Sequence, residues 1–567
     1  MMPTQRGWLP ALVVAVLVGG GAAESVSGGG HLRRPAAFAP EIQDLVGPDP
    51  RFFVPRSAGG PGPAETSLQT PLTPWEAIDR CVRDEMAAKG GLGAAVAIYR
   101  GGAIVYEQGY GTRERGGDLS VDAGTQFRIG SITKMFTAAA VMQEVDAGRV
   151  DLRAPITRYI TELRLADAAA AGSITVWNLL THTSGYPDNL FLDLDDIDGP
   201  KNDAALSTWV QSQTGTRLQS PPGTLWNYSN DNYVLAGLVA ERASGVPYQR
   251  LMAERIFARA GLTSTTLLPA QVLARGNYTV GYWRNPRNGE QRVSGPEAYD
   301  NWVAAPAGYA FSTAGDLVRW AALLMHGGGN VISPASARAM QAREQSMDYY
   351  PDFDYGLGIM RERYRGLDVM QHSGAMPGWG GYLLWVPEAD FAVATLVNVA
   401  PAVLDRSAYC AVDAVLQPQA AQVSPPGGDR SEWPGFQGDF GGLAEDGRSV
   451  RGRVEGNADG SLAMVFTDIP MGTPGIPLRT DLRNAFVRTF AFDSDGDGQS
   501  DDYATFIPDK RDPNRLWIRR SRGWVLSRPA PATATPDPPA AVPTATGSAT
   551  LRRTLFLPLS MLPSLIP

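Results

Sequence analysis

Strand-like runs stand at both ends of one long stretch of this chain, and that arrangement limits its fold more than any other feature. Near the start, the runs Ala94 to Tyr99 and Ala103 to Gln108 are separated by Arg100-Gly-Gly102, which reads as a hairpin. Far down the chain, Gly381 to Val386 and Phe391 to Val397 read as further strands. Each pair has a helix beside it. Thr73-Pro74 supplies a cap and a first-turn proline ahead of Trp75, Ile78, Val82 and Met86 at helical spacing, and Leu404 to Leu416 reads as a closing helix. Helical and loop signals alternate in between. The pattern predicts an α+β domain: one antiparallel sheet built from both ends, flanked by helices, with a helical insertion between them.

Composition divides the rest. Gly 63 and Pro 44 exceed their usual combined share of roughly 12%, and they gather in linkers. Residues 1–23 carry a short basic start, an apolar run from Trp8 to Val18 and a small-residue end at Ala22-Ala23, so they read as a cleaved signal peptide. That places the expected workplace outside the cytoplasm, secreted or at the cell surface. Residues 24–72 read as a Gly/Pro-rich linker, 73–418 as the α+β domain and 419–432 as a second linker. Over 433–528 the short runs Ser449 to Val454, Ser461 to Phe466, Phe486 to Phe492, Tyr503 to Ile507, Leu516 to Arg519 and Trp524 to Ser527 predict a small all-β barrel. Residues 529–550 form a Pro/Ala/Thr-rich spacer and 551–567 an apolar tail. The tail is short and holds three prolines from Leu555 onward, so it reads as a surface-retention segment or a frayed end, and no transmembrane span is expected.

Charge narrows the function classes. With 50 basic against 58 acidic side chains and a net charge of -8, a nucleic-acid partner is excluded and an anionic membrane surface disfavoured. Cys81 and Cys410 are the two cysteines, too few for a disulfide-rich framework or a four-cysteine zinc site. Lysines are scarce as well: Lys89, Lys134, Lys201 and Lys510.

One of those four lies in the most informative stretch, Phe127-Arg-Ile-Gly130-Ser131-Ile-Thr-Lys134. Good helix formers follow, so Ser131 is expected at a helix N-terminus with Lys134 one turn on, on the same face. A lysine amine there can take the hydroxyl proton, and the helix end favours negative charge developing at an attacked carbonyl. A surface lysine over a capping serine would show the same spacing. A second stretch, Trp226-Asn-Tyr228-Ser229-Asn230, puts a phenol and an amide on one side of a loop before an apolar helix. The third is Gln371-His372-Ser373-Gly374-Ala375. A lone histidine such as His372 also serves as an ordinary buried residue.

Ser-x-x-Lys, Tyr-x-Asn and His-x-Gly in this order resemble the serine β-lactamase and penicillin-recognising enzyme superfamily. Within it they resemble the class C-like branch of D-alanyl-D-alanine carboxypeptidases, D-aminopeptidases and esterases. Leu179-Leu-Thr-His182-Thr-Ser-Gly185, Pro222-Gly223-Thr and Ala307-Gly-Tyr-Ala-Phe-Ser312 extend the likeness, which runs from about Thr73 to Leu416. The resemblance implies Ser131 as acylated nucleophile, Lys134 as its proton acceptor, Tyr228 as second acid/base and Asn230, His372 and Gly374 as substrate binders. The backbone N–H groups of Ser131 and Ala375 would form the oxyanion hole, and His182 would shape a loop. It implies a fold whose first and last helices lie side by side, which makes a Cys81–Cys410 disulfide an expectation. Most β-lactamases of the superfamily have lysine where His372 stands. An imidazolium here would hold a substrate carboxylate only at low pH, which points to a D-peptidase or esterase over an efficient β-lactamase.

The C-terminal barrel resembles the lipocalin-like domains that follow some members of this branch. Within it, Asp493, Asp495, Asp497 and Asp501 follow calcium-loop spacing, although Ala504 replaces the acidic twelfth residue, so a structural calcium and a plain acidic hairpin are both open. No cofactor is expected for catalysis. The expected partner is a small peptide, ester or β-lactam-like substrate. The predicted function is a secreted serine hydrolase acting through an acyl-enzyme on D-amino-acid peptides or related esters. A carboxylesterase, a weak β-lactamase and a surface binding protein with an inactive pocket are the alternatives.

Overall fold

The computed structural model describes residues 72–190, 199–284, 289–349, 351–400, 402–420, 428–444, 446–468, 478–484, 488–492, 502–512, 514–520 and 524–528. The predicted sheet is present and antiparallel. Its eight strands run, edge to edge, Ala103–Gly111, Gly93–Arg100, Phe391–Val397, Trp379–Val386, Leu367–Met376, Met360–Tyr364, Asp354–Tyr355 and Gln345–Ser346. Strands from the two ends of the domain pair directly, as second and third in this order, with Ala94 opposite Val397 and Arg100 opposite Phe391.

The strand Gly93–Arg100, second from one edge, is buried on both faces, so period-2 alternation sorts its side chains between two apolar layers. Ala95, Ala97 and Tyr99 face the large helical layer. Ala94, Val96 and Ile98 face Ile78, Val82, Met86, Ala408 and Ala411 on the first and last helices, Pro74–Lys89 and Asp405–Leu416. The first helix starts as predicted: Thr73 caps it and Glu76 closes a capping box. Trp75 departs from the predicted apolar stripe, being 37% exposed and stacked on Tyr106 at 5.3 Å. Cys81 and Cys410 form the disulfide that joins the two helices, across 329 residues of sequence. Beside it Lys89 pairs with Glu85 at 2.7 Å and Asp405 at 2.8 Å.

In the helical layer, Thr133–Asp146 is buried on nearly every side, as a helix apolar all round must be. It packs against Asn230–Ser244, whose first turn is equally buried.

The barrel closes with eight strands: Gly438–Leu443, Ser449–Gly456, Leu462–Asp468, Leu478–Asn484, Thr489–Phe492, Asp502–Pro508, Leu516–Arg520 and Val525–Arg528. The first and fourth exceed the six expected from sequence. Gly438–Leu443 is glycine-rich because Gly442 passes so close to its partner strand that a Cβ would lie 1.9 Å from the Val525 carbonyl. The lumen is filled by side chains including Phe440, Phe466, Phe490, Phe506 and Trp524. The barrel docks on the α+β domain through Leu225, which packs with Ile507, Trp517 and Val525.

Candidate active site

Ser131 lies in a tight turn, Gly130–Ile132, that feeds the helix Thr133–Asp146. Gly130 has φ 52°, a left-handed conformation that glycine adopts without strain. The turn meets the strand Leu367–Met376 backbone to backbone. A Cβ on Gly130 would fall 2.4 Å from the Ala375 nitrogen, and one on Gly374 would fall 2.0 Å from the Ile129 carbonyl oxygen and 2.9 Å from the Ser131 nitrogen. Both glycines are therefore required by close approach, and the Ser131 and Ala375 amides lie on neighbouring stretches of backbone.

Lys134 is fully buried. Its Nζ lies 3.1 Å from Ser131 Oγ and donates to Asn230 Oδ1 and to the Ala307 carbonyl, each at 2.7 Å. It also stands 4.8 Å from the centre of the Tyr228 ring. Ser131, Lys134, Tyr228 and Asn230, taken from two sequence segments, are thus brought together, each 1% exposed or less. In such a dry site charge–dipole interactions are strong.

Two acidic neighbours of the site, Asp188 and Asp231, had no legible signal in the sequence. Asp188 accepts from the Asn230 backbone N–H at 2.8 Å and from its side-chain amide at 3.2 Å, which turns Asn230 Oδ1 toward Lys134. The neighbouring Asp231 carboxyl is held well above the usual carboxylate range, first by burial and then by the charge of Asp188. The Ala307 carbonyl completes the lysine's surroundings, although its segment was quoted for the family likeness alone. His182 shapes the tyrosine loop as expected: its carbonyl accepts from the Asn227 N–H at 2.8 Å, its Nδ1 from the Ser229 N–H at 3.2 Å, and its ring lies 4.2 Å from that of Tyr228.

The structure places His372 at the site, on the strand that carries Gly374 and Ala375. It is fully buried, and its pKa is pushed down to about 3, chiefly by burial and next by the charge of Lys134. Its Nδ1–H donates to the Ser373 carbonyl at 2.5 Å, and its Nε2 accepts from the Tyr355 hydroxyl at 3.1 Å. Burial thus favours the neutral ring, which has no ionic hold on a carboxylate.

Asp493, Asp495, Asp497 and Asp501 lie outside the described residues, and so do residues 1–23, expected to be a signal peptide, and the apolar tail 551–567. No cluster of metal-ligating side chains occurs among the described residues, and no helix among them is long and apolar enough to cross a membrane.

The sequence profile of the β-lactamase family matches residues 78–416, which carry all of these groups. The chain belongs to the β-lactamase family. It is a serine hydrolase of the β-lactamase/transpeptidase-like superfamily, whose chemistry needs no cofactor. Among curated relatives, penicillin-binding protein 4 of Amycolatopsis lactamdurans is 29% identical over 321 residues, covering 54% of this chain and 80% of its own length. The unguisins hydrolase ungD' of Aspergillus campestris is 28% identical over 325 residues, covering 54% of this chain but only 58% of its own length. Among solved structures, SurE superposes with a TM-score of 0.59 at 23% identity, over 80% of this chain and 98% of its own. That last likeness concerns the fold.

Proposed function

We propose that this β-lactamase-family protein is an exported serine hydrolase that acts through an acyl-enzyme on D-amino-acid peptides or related esters. The observation that carries the reading is the setting of Lys134. As a neutral amine it would donate its two N–H bonds to Asn230 Oδ1 and the Ala307 carbonyl, leaving its lone pair toward Ser131 Oγ 3.1 Å away. Ser131 Oγ then bonds to the substrate carbonyl carbon while its proton passes to Lys134, and the oxyanion is met by the Ser131 and Ala375 amides. Tyr228 relays the proton to the leaving amine or alcohol as its bond to carbon breaks. Water, activated by the same pair, hydrolyses the ester on Ser131.

Neutral His372 favours substrates with no carboxylate at that position, so D-aminoacyl amides and esters stand ahead of peptides ending in D-Ala-D-Ala. A carboxylesterase is the second reading on the same observation. The Cys81–Cys410 disulfide suits an oxidising compartment and supports export. A calcium held by Asp493, Asp495, Asp497 and Asp501 belongs to the proposal as a structural ion. The test is a panel of D- and L-aminoacyl p-nitroanilides, p-nitrophenyl esters, a D-Ala-D-Ala peptide and a chromogenic cephalosporin, compared by kcat/KM. D-aminoacyl amides and esters should lead it. An L preference, or a cephalosporin turned over faster than both, would overturn the assignment.

A further inference from the structure

The barrel strand Leu516–Arg520 alternates between two environments. Ile518 points into the barrel's own core, whereas Trp517 faces the catalytic body. Arg519 goes further. It is fully buried, and its two terminal nitrogens donate to carbonyls of two catalytic-body segments, Trp226 at 2.5 Å and Met347 at 2.8 Å. Its guanidinium lies over the rings of Trp226 at 4.9 Å and Tyr349 at 4.6 Å. Burial holds the nearby Asp348 carboxyl above its usual range, and Arg519 is the largest influence opposing that shift.

The acceptors matter because of what they adjoin. Trp226 stands two residues before Tyr228, and Met347 begins the segment that leads to Tyr355, whose hydroxyl holds His372. Trp226, Tyr228, Met347, Tyr349 and Tyr355 pack in one buried cluster. Burying a guanidinium has a large desolvation penalty, and an apolar side chain would fill the same space without it. A planar donor with two fixed acceptors supplies geometry that an apolar residue cannot. We propose that Arg519 is a positioning residue of the active site, through which the barrel locks the Tyr228 loop against the segment supporting His372. This rests on the reading of Tyr228 as the proton-transfer group.

The test uses the full chain with p-nitrophenyl acetate as the probe substrate, comparing wild type, Arg519→Met, Arg519→Lys and Tyr228→Phe. Rates are counted per molecule titrated at the active site, and melting is followed alongside. Misplacement by a fraction of an ångström should lower kcat about tenfold or more in Arg519→Met while KM stays within about twofold, because ground-state contacts are untouched. Arg519→Lys, which keeps the charge and one set of donors, should recover part of the loss. A folded Arg519→Met enzyme with wild-type kcat overturns the proposal, however much its melting temperature falls. If Arg519→Met does not fold, Arg519→Lys decides: a lowered kcat at unchanged KM supports the role, and wild-type kcat overturns it. Undiminished turnover in Tyr228→Phe would instead defeat the underlying reading of Tyr228.

Discussion

At the scale of the residue, Lys134 organises the site because three oxygens converge on its Nζ within 3.1 Å. The orientation of one of them depends on Asp188. Asp188→Ala should let the Asn230 amide turn, lowering kcat/KM by about ten- to a hundredfold, in the range of a lost positioning contact. Because the two residues act together, Asn230→Ala and Asp188→Ala should be far from additive in a double-mutant cycle; additive losses would show that Asp188 acts elsewhere. His372 gives a pH prediction. Its folded pKa of about 3 lies below the ordinary 6.5, so between those values the unfolded chain binds a proton that the native state does not. The neutral ring's contribution to stability is full above about pH 6.5 and is lost progressively as pH falls toward 3. His372→Asn should flatten that slope of unfolding free energy against pH, and identical slopes would contradict the burial argument. The placement of Ser131 and Lys134 could be read from sequence because residues three apart share a helix face. The Asp188 clamp spans 42 residues and the charge state of His372 depends on burial, and neither leaves a local signal.

At the scale of the element, the strands that the sequence reveals are those with continuous apolar or alternating runs, such as Gly93–Arg100 and Phe391–Val397. Those it hides have another reason for their composition. Gly438–Leu443 needs glycine for close backbone approach, and Leu478–Asn484 is largely charged and polar. The helix pair is stapled by Cys81–Cys410, which closes a loop of 329 residues. In the chain-entropy account such a bond adds on the order of 3 to 5 kcal/mol, so reduction, or Cys81→Ala with Cys410→Ala, should lower the denaturation midpoint accordingly. An unchanged midpoint would mean that the flanking Lys89, Glu85 and Asp405 network already holds the helices. The acidic segment from Asp493 to Asp501 is tested by melting with added Ca²⁺ and with chelator. A calcium loop raises the melting temperature by mass action, and loses that response when Asp495 and Asp497 are both changed to Ala. No response leaves the acidic hairpin.

At the scale of the whole molecule, the sheet built from both ends of the catalytic domain was legible in outline, because hairpin, strands and terminal helices announce themselves by period and turn. The barrel was legible as a barrel. Its junction was not, since Trp517 and Arg519 look from sequence like ordinary residues of a strand and show their direction only when Ile518 is seen facing inward. The account of the molecule as an acyl-enzyme hydrolase rests on one atom, Ser131 Oγ, activated by Lys134. The most direct measurement is reaction of the folded full chain with a covalent active-serine probe, followed by peptide mapping and repeated on Ser131→Ala and Lys134→Ala. The account predicts a single adduct on Ser131 in the wild type and none in either variant while both stay folded. An adduct elsewhere, or turnover that survives Ser131→Ala, would contradict it.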